Sequence, residues 1–253
     1  MKTEISNERL EIMSNFKALL KKTEVQEGLK DGLPIGLGYL SVSFAFGIFA
    51  VEQGFAIWKA LIISMTNLTS AGQLAGVTLI AASAAFIEIV LSQLVINLRY
   101  SLMSITVSQK MDKSIKMSDR FFLSVFITDE IFAAASRRDS ISATYMRALV
   151  CLPYIGWSTG TFIGAAMGSF LPASVVSCLG LAIYGMFIAI IVPPAKKNKK
   201  VMCVVLLACA LSCTIKYTPL SKWISDGFSI IICAVIAAAT LALIAPVEED
   251  NND

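Results

Sequence analysis

The sequence predicts an all-α, polytopic membrane protein with about six full transmembrane spans and two re-entrant hairpins. Hydrophobic residues make up 56% of the 253 residues and charged residues only 15%, a composition that soluble globular domains do not have. The apolar residues fall into runs of about 20, which is the length that crosses a bilayer as a helix. Two of these runs have a polar centre, and this feature indicates hairpins.

The elements follow one another along the chain between polar ends. Residues 1–30 carry apolar side chains near helical spacing among lysines, which favours either an amphipathic helix on the cytoplasmic face of the membrane or a frayed tail. Residues 31–246 form one transmembrane domain, and residues 247–253 form an acidic tail. The predicted spans cover residues 33–51, 84–107, 145–171, 174–193, 200–215 and 225–246.

The two segments with polar centres, residues 56–83 and 120–138, are predicted to be re-entrant hairpins that enter from opposite sides. A polar break such as Thr66 to Gln73 is tolerated at membrane depth only where it lines protein or water. With both termini in the cytoplasm, this threading places 17 of the 21 Lys and Arg residues inside, three outside and Arg99 at depth. A single crossing by residues 56–83 would instead place the basic loop 110–120 outside. Opposed hairpins also suggest an inverted repeat.

Two adjacent carboxylates, Asp129 and Glu130, follow Thr128 inside an apolar segment. A charge at membrane depth costs several kcal/mol unless it is paired, protonated or faces a wet cavity, so this pair indicates a functional site. The alternative is that a helix end places both acids at the headgroup level beside Arg137 and Arg138.

Four glycines recur at intervals of four residues on one predicted helix. Such spacing forms a groove in which another helix backbone approaches closely, either within the chain or from a partner, and the first is favoured. The four are Gly156, Gly160, Gly164 and Gly168.

The residue inventory argues against an enzyme. The chain has no histidine, and its six cysteines lack CxxC spacing, so neither a metal site nor a cofactor is predicted. A GxxxxGK[ST] motif is absent, which excludes an ATPase within this chain. An intramembrane hydrolase is the rival enzyme class, but the chain contains neither a histidine nor an HExxH motif to support it. The net charge of +3 is too small to indicate nucleic acid as a partner.

Six short motifs stand in a set order between residues 31 and 194. Each is weak alone, but the ordered set is specific. The motifs are Asp31-Gly32-Leu33-Pro34, Phe46-Gly47, Ser70-Ala71-Gly72-Gln73, Asn97-Leu98-Arg99-Tyr100, Thr128-Asp129-Glu130 and Gly168-Ser169-Phe170-Leu171-Pro172.

This set resembles the AzlC-like family, the large subunit of bacterial branched-chain amino-acid exporters. The resemblance implies a multi-pass protein of the bacterial inner membrane that exports branched-chain or other hydrophobic amino acids. It also implies a small hydrophobic partner subunit of the AzlD type within the lipid bilayer. Proton coupling is expected as well. The rival interpretation is a channel, or a substrate-binding subunit of a larger complex, without a transport cycle of its own.

The chemistry of an aliphatic amino acid assigns roles to the polar residues. Its carboxylate needs free backbone amides at a helix N-terminus, its ammonium needs a carboxylate, and Arg99 is the internal counter-ion. Three alternatives stay open: Gln73 and Asn97 as hydrogen-bonding links between helices, Glu88 in loop water, and Asp129 with Arg99 as a structural pair. The candidates for the carboxylate site are Ser70, Ala71, Gly72 and Gln73, and those for the ammonium or a proton are Asp129, Glu130 and Glu88. Asn97 is a further candidate for substrate binding.

Overall fold

The protein is described here from a computed structural model. The structure describes residues 2–113, 115–168 and 191–244, together with positions 174, 185 and 188, and describes only the backbone of residues 2–20 and of residue 244. The α-helices with defined bounds are α1 (Lys2–Glu52), α2 (Ile57–Thr66), α3 (Ser70–Ala81), α4 (Phe86–Lys110), α5 (Met117–Ser124), α6 (Asp129–Ala135), α7 (Ala143–Met167), α8 (Lys199–Tyr217) and α9 (Asp226–Ile244). Residues 191–197 are also helical, and a short 3-10 helix covers Pro219–Lys222.

Five helical segments among the described residues are long and apolar enough to cross a membrane. This result confirms the prediction of an all-α polytopic membrane protein. Most of the predicted span 174–193 lies outside the described residues, so the number of spans stays a prediction. The helix α1 continues without interruption through residue 30, and the placement of residues 1–30 on the membrane surface also stays a prediction. The five segments are Lys21–Glu52, Phe86–Lys110, Ala143–Met167, Lys199–Tyr217 and Asp226–Leu243.

The centre of the fold is a parallel pair formed by α1 and α7. The glycine groove of α7 receives α1 of the same chain: a Cβ at Gly160 would overlap the main-chain oxygen of Leu40, and a Cβ at Gly164 would overlap that of Phe44. A Cβ at Gly168 would stand 3.6 Å from the Ile48 Cα, which is an ordinary contact distance. The helix α1 contributes glycines to the same contact, namely Gly28, Gly32, Gly36 and Gly47.

The first hairpin consists of α2 and α3, and it returns to the end of the fold at which it starts. Ala60 of α2 belongs to one buried apolar cluster with Ala50 near the end of α1. The connection then reaches the middle of the fold, where Leu68 clusters with Trp157. Val77 of α3 belongs again to the cluster of Ala50 and Ala60. At 10 and 12 residues, each helix is about half the length that crosses a bilayer.

The second hairpin consists of α5 and α6, and it returns to the opposite end of the fold. Its two ends are joined by backbone hydrogen bonds, from Ile141 N to Lys110 O (2.9 Å) and from Asp112 N to Ile141 O (3.0 Å). Arg120 fixes the entry to this hairpin by donating to the Ser108 carbonyl (2.6 Å) and to the Asp112 carbonyl (2.8 Å). The two hairpins therefore point towards each other from opposite ends.

We call the end that carries residues 21–28, 110–116, 137–147 and 196–200 the basic end. Two ion pairs tie the second hairpin there: Arg138 to Glu27 of α1, and Arg147 of α7 to Asp119 at 3.0 Å. The other end carries the few remaining basic residues outside the centre, and three exposed aromatic residues typical of a membrane interface. Orientation in the membrane and an inverted repeat stay predictions. The basic residues of this other end are Lys59, Lys216 and Lys222, and the aromatic residues are Trp58, Tyr217 and Trp223.

Candidate functional site

A cavity of about 870 Å³ lies where the tips of the two hairpins meet. We call it the central cavity. The helix α1 forms one wall, the first turn of α3 and the middle of α4 form two others, and the start of α6 closes the polar side. The tip residue Leu68 clusters with Tyr39 and Trp157, and Phe126 of the second hairpin packs against the same cluster. The cavity therefore depends on both hairpins being in place.

Asp129 forms an ion pair with Arg99 at the polar side of the central cavity. The distance from Arg99 Nη2 to Asp129 Oδ2 is 3.0 Å, and the two side chains are 45% and 36% exposed. The Arg99 guanidinium also donates to the Tyr100 hydroxyl at 2.9 Å and lies 4.7 Å from the centre of the Tyr100 ring. Asp129 is thus neutralised by a cation that is itself fixed in position.

Glu130 lines the same cavity but has a different environment. The buried Tyr39 hydroxyl donates to a Glu130 carboxylate oxygen. No lysine or arginine among the described residues lies within ion-pair distance of Glu130. The two adjacent acids therefore differ in character: Asp129 has a counter-ion, and Glu130 is held by a neutral hydroxyl.

Thr128 explains why the two acids stand where α6 begins. Its hydroxyl accepts a hydrogen bond from Ile131 N at 3.4 Å, which caps the helix N-terminus, and it shares a further hydrogen bond with the Tyr39 hydroxyl. Acidic residues in a first helical turn are stabilised by the helix dipole. The Thr-Asp-Glu sequence is therefore a helix start whose first two side chains lie at the central cavity.

Ser70 and Ala71 line the cavity at the start of α3. The preceding residue, Thr69, does not cap this helix, because its hydroxyl donates instead to Asn67 Oδ1 at 2.9 Å. Among the described residues, the first amides of α3 therefore have no side-chain partner, and amides of this kind are donors suited to an anionic group.

Three other predicted substrate-binding residues, Gly72, Gln73 and Asn97, do not line the central cavity. Gln73 Nε2 donates to Ser64 Oγ at 2.8 Å. Asn97 donates to Gln93 at 3.1 Å, and Gln93 donates to the Gly72 carbonyl at 2.8 Å. The Gln73 bond joins α3 to α2, the Gln93 bond joins α4 to the first hairpin, and the Asn97 bond lies within α4. Gln73 therefore links two helices, as the alternative had it, whereas Asn97 contacts the first hairpin only through Gln93.

Glu88 also lies away from the central cavity. It accepts hydrogen bonds from the Ser225 hydroxyl and from Gly227 N (2.9 Å), so it caps the start of α9. With an exposed fraction of 5%, Glu88 does not face loop water, and that expectation was wrong. The sequence did not reveal this role because the contact joins residues 139 positions apart.

The rest of the cavity surface is mainly apolar, and it includes aromatic residues that sequence reasoning missed. Tyr39 and Trp157 meet edge to face, with ring centres 5.0 Å apart. A tyrosine or tryptophan in an apolar span usually has a polar partner, and this is the signal that could have drawn attention to Tyr39. The described residues contain no group of three or more Cys, Asp or Glu side chains arranged to hold a metal. The aliphatic part of the wall comprises Pro34, Ile35, Val42, Leu68, Val95 and Ile96.

Together, the fold and the cavity define a multi-pass membrane protein built around a central, partly charged cavity between two opposed hairpins. A family model described as "AzlC protein" matches residues 34–171, which is more than half of the chain and includes both hairpins. The chain therefore belongs to the AzlC family.

Individual relatives agree with this assignment. A protein of Archaeoglobus fulgidus named "Uncharacterized membrane protein" is 31% identical over 184 residues, which cover 71% of this chain and 80% of that protein. The "Inner membrane protein YgaZ" of Escherichia coli K12 is 28% identical over 187 residues, which cover 70% of this chain and 76% of that protein. No solved structure matches the chain.

Proposed function

We propose that this protein is a secondary transporter that exports branched-chain or other hydrophobic amino acids across the bacterial inner membrane in exchange for protons. The observation that carries the proposal is the central cavity, which combines an aliphatic wall, uncapped helix amides and a carboxylate that has no counter-ion among the residues the structure describes. These three features correspond to the ammonium, the carboxylate and the side chain of an aliphatic amino acid.

Glu130 is the group proposed to bind the substrate ammonium. Asp129 already has Arg99 as a partner at 3.0 Å, so binding an ammonium there would require that ion pair to open. Glu130 requires no such exchange, since its partner is the Tyr39 hydroxyl. A charge-assisted hydrogen bond from the ammonium is also stronger than one from a neutral donor.

The first turn of α3 is the proposed site for the substrate carboxylate. The free amides near Ser70 and Ala71 lie at the positive end of the helix dipole. Small side chains at these two positions leave the backbone accessible. The aliphatic residues Ile35, Val42 and Val95 of the same cavity then provide a wall for an apolar side chain. The cavity volume of about 870 Å³ is within the range of small-molecule sites and leaves space for water.

Proton coupling is proposed to use the same acid. A carboxylate at membrane depth without a counter-cation is costly, and the cost disappears when it binds either a proton or an ammonium. Because the chain has no histidine, a carboxyl group is the natural proton carrier. Competition between proton and substrate at Glu130 would couple the two movements.

A small membrane subunit of the AzlD type is proposed as the partner. The proposal comes from membership in the AzlC family, and the exposed surface of α4 is compatible with it. Large apolar residues recur there about every four positions, and they form a stripe that either lipid or a partner helix must cover. The stripe comprises Phe86, Val90, Leu94, Leu98, Leu102 and Ile105.

The test is flux of radiolabelled leucine, valine and alanine in proteoliposomes with and without a pH gradient. The chain is reconstituted alone and with a small membrane subunit encoded beside it. We expect leucine or valine flux that requires the partner and responds to the gradient. Passive flux that ignores the gradient would instead favour the rival function of a channel. Substrate binding without flux, even with the partner present, would favour a binding subunit.

A further inference from the structure

A second groove lies between α8 and α9 at the basic end, and none of its lining residues lines the central cavity. Its volume is about 420 Å³, and its walls come from both helices. The only hydroxyl in the wall, that of Thr240, donates to its own helix at the Ile236 carbonyl (2.7 Å). The groove therefore offers apolar surface and no free hydroxyl. The other wall residues are Cys203, Val204, Leu207, Ala237 and Leu241.

Two lysines, Lys199 and Lys200, close this groove at the basic end. They belong to a run of four exposed lysines that also contains Lys196 and Lys197. No ion pair to any of these four occurs within the described ranges. The side chain of Asn198 accepts a hydrogen bond from Lys200 N at 2.9 Å, which fixes the backbone at this point.

The groove and the lysines occur in the order in which a phospholipid presents its parts. An acyl chain needs an apolar channel that runs inward from the membrane surface, and an anionic phosphate needs cations at the surface end. Basic pockets between transmembrane helices bind acidic headgroups for this reason. A zwitterionic lipid would fill the same channel, but it would gain little from four positive charges that have no ion pair in the described part of the chain.

From this arrangement we infer that the α8–α9 groove is a binding site for an anionic phospholipid, with the headgroup phosphate at Lys199 and Lys200 and one acyl chain along Val204, Leu207 and Ala237. The groove shares no lining residue with the central cavity, so lipid binding can be measured without the transported substrate. It attaches α8 and α9 to the anionic membrane surface.

Native mass spectrometry of the purified full-length protein tests the inference, with phosphatidylglycerol and phosphatidylcholine as the two probes. The wild-type protein should retain phosphatidylglycerol in preference. The double variant Lys199→Gln/Lys200→Gln should bind it about 25-fold more weakly, because each lysine near an anionic surface contributes about fivefold. The matched control Lys59→Gln/Lys222→Gln removes the same charge at the other end and should bind as the wild type does.

A third variant tests the apolar part of the site. Leu207→Trp fills the groove and keeps both lysines, and we expect it to weaken phosphatidylglycerol binding as well. Thermal unfolding of each variant checks that the protein is folded. Normal phosphatidylglycerol binding by a folded Leu207→Trp protein would show that surface charge alone causes the lipid preference, and it would overturn the inference. Equal retention of the two lipids by the wild type would overturn it too.

The chain's own acidic tail is the competing occupant of the lysines. Residues 248–250 (Glu-Glu-Asp) follow α9 closely in the sequence. The neutral-tail variant Glu248→Gln/Glu249→Gln/Asp250→Asn distinguishes the two occupants. Unchanged phosphatidylglycerol affinity supports the lipid site. A several-fold gain in affinity would show that the tail occupies the lysines in the wild type, and it would overturn the inference.

Discussion

Substituting Gly164 by Ala tests the parallel contact between α1 and α7, on which the central cavity depends. The added Cβ would overlap the Phe44 carbonyl oxygen, and it would lie 2.8 Å from the Phe44 carbonyl carbon and 2.9 Å from its Cα. Because all three atoms belong to backbone, no side-chain rotation relieves the clash. The two helices must separate by roughly 1 Å along this contact, since close-packed interiors have little free space.

Overpacking of this kind costs about 1–3 kcal/mol, and a backbone clash belongs at the upper limit. A loss of about 3 kcal/mol corresponds to a decrease in Tm of roughly 6–12 °C for a chain of this size. Thermal unfolding of the detergent-purified protein, followed by tryptophan fluorescence, measures it. Gly168→Ala is the matched control, because Gly168 has a helical φ of −54° and its Cβ would meet no atom closer than 3.4 Å. Equal Tm values for the two variants would refute the packing argument.

Three further predictions concern charge, topology and the cavity hydroxyl. Asp129→Asn or Arg99→Gln alone leaves a half-exposed charge without its partner and should lower the free energy of unfolding by about 1–3 kcal/mol. The double variant should recover the folded yield measured by size-exclusion chromatography. A double variant with a folded yield as low as that of the single variants would contradict this prediction. In a cysteine-free background, a cysteine at Lys113 should react with impermeant maleimide from the cytoplasm and one at Lys222 from outside; the reverse pattern would contradict the topology. Tyr39→Phe should lower leucine flux about tenfold, while its Tm stays within about 3 °C of the wild-type value. Unchanged flux would show that the Tyr39 hydroxyl does not contribute to the site.

The fold class and the hairpins could be predicted from the sequence because membrane constraints act locally. Span length, polar breaks and charge asymmetry are properties of contiguous segments. The α1–α7 contact could be predicted only in part. The spacing from Gly156 to Gly168 predicted a groove on one helix, but it did not identify which helix packs into that groove. The matching glycines of α1, including Gly28 and Gly32, are spaced in the same way and could have been paired with it.

The candidate site was harder to predict because its contacts are long-range. Depth in the membrane identified the two acids but could not distinguish them. Their difference depends on Arg99, which lies within a separate span (α4), and on Tyr39, which lies 91 residues before Glu130. Glu88 was assigned by residue type alone, and such an assignment cannot distinguish a cavity acid from one that caps a distant helix.

The central claim is that Glu130 carries the charge that the substrate or the proton requires. The decisive measurement is leucine export at several pH values by proteoliposomes that contain Glu130→Gln, compared with Glu52→Gln at the end of α1 as a matched control outside the cavity. We expect Glu130→Gln to fold normally, because the amide still accepts the Tyr39 hydrogen bond, and to lose export at every pH. The control should export as the wild type does. Export by Glu130→Gln at the wild-type rate, with unchanged pH dependence, would contradict the claim.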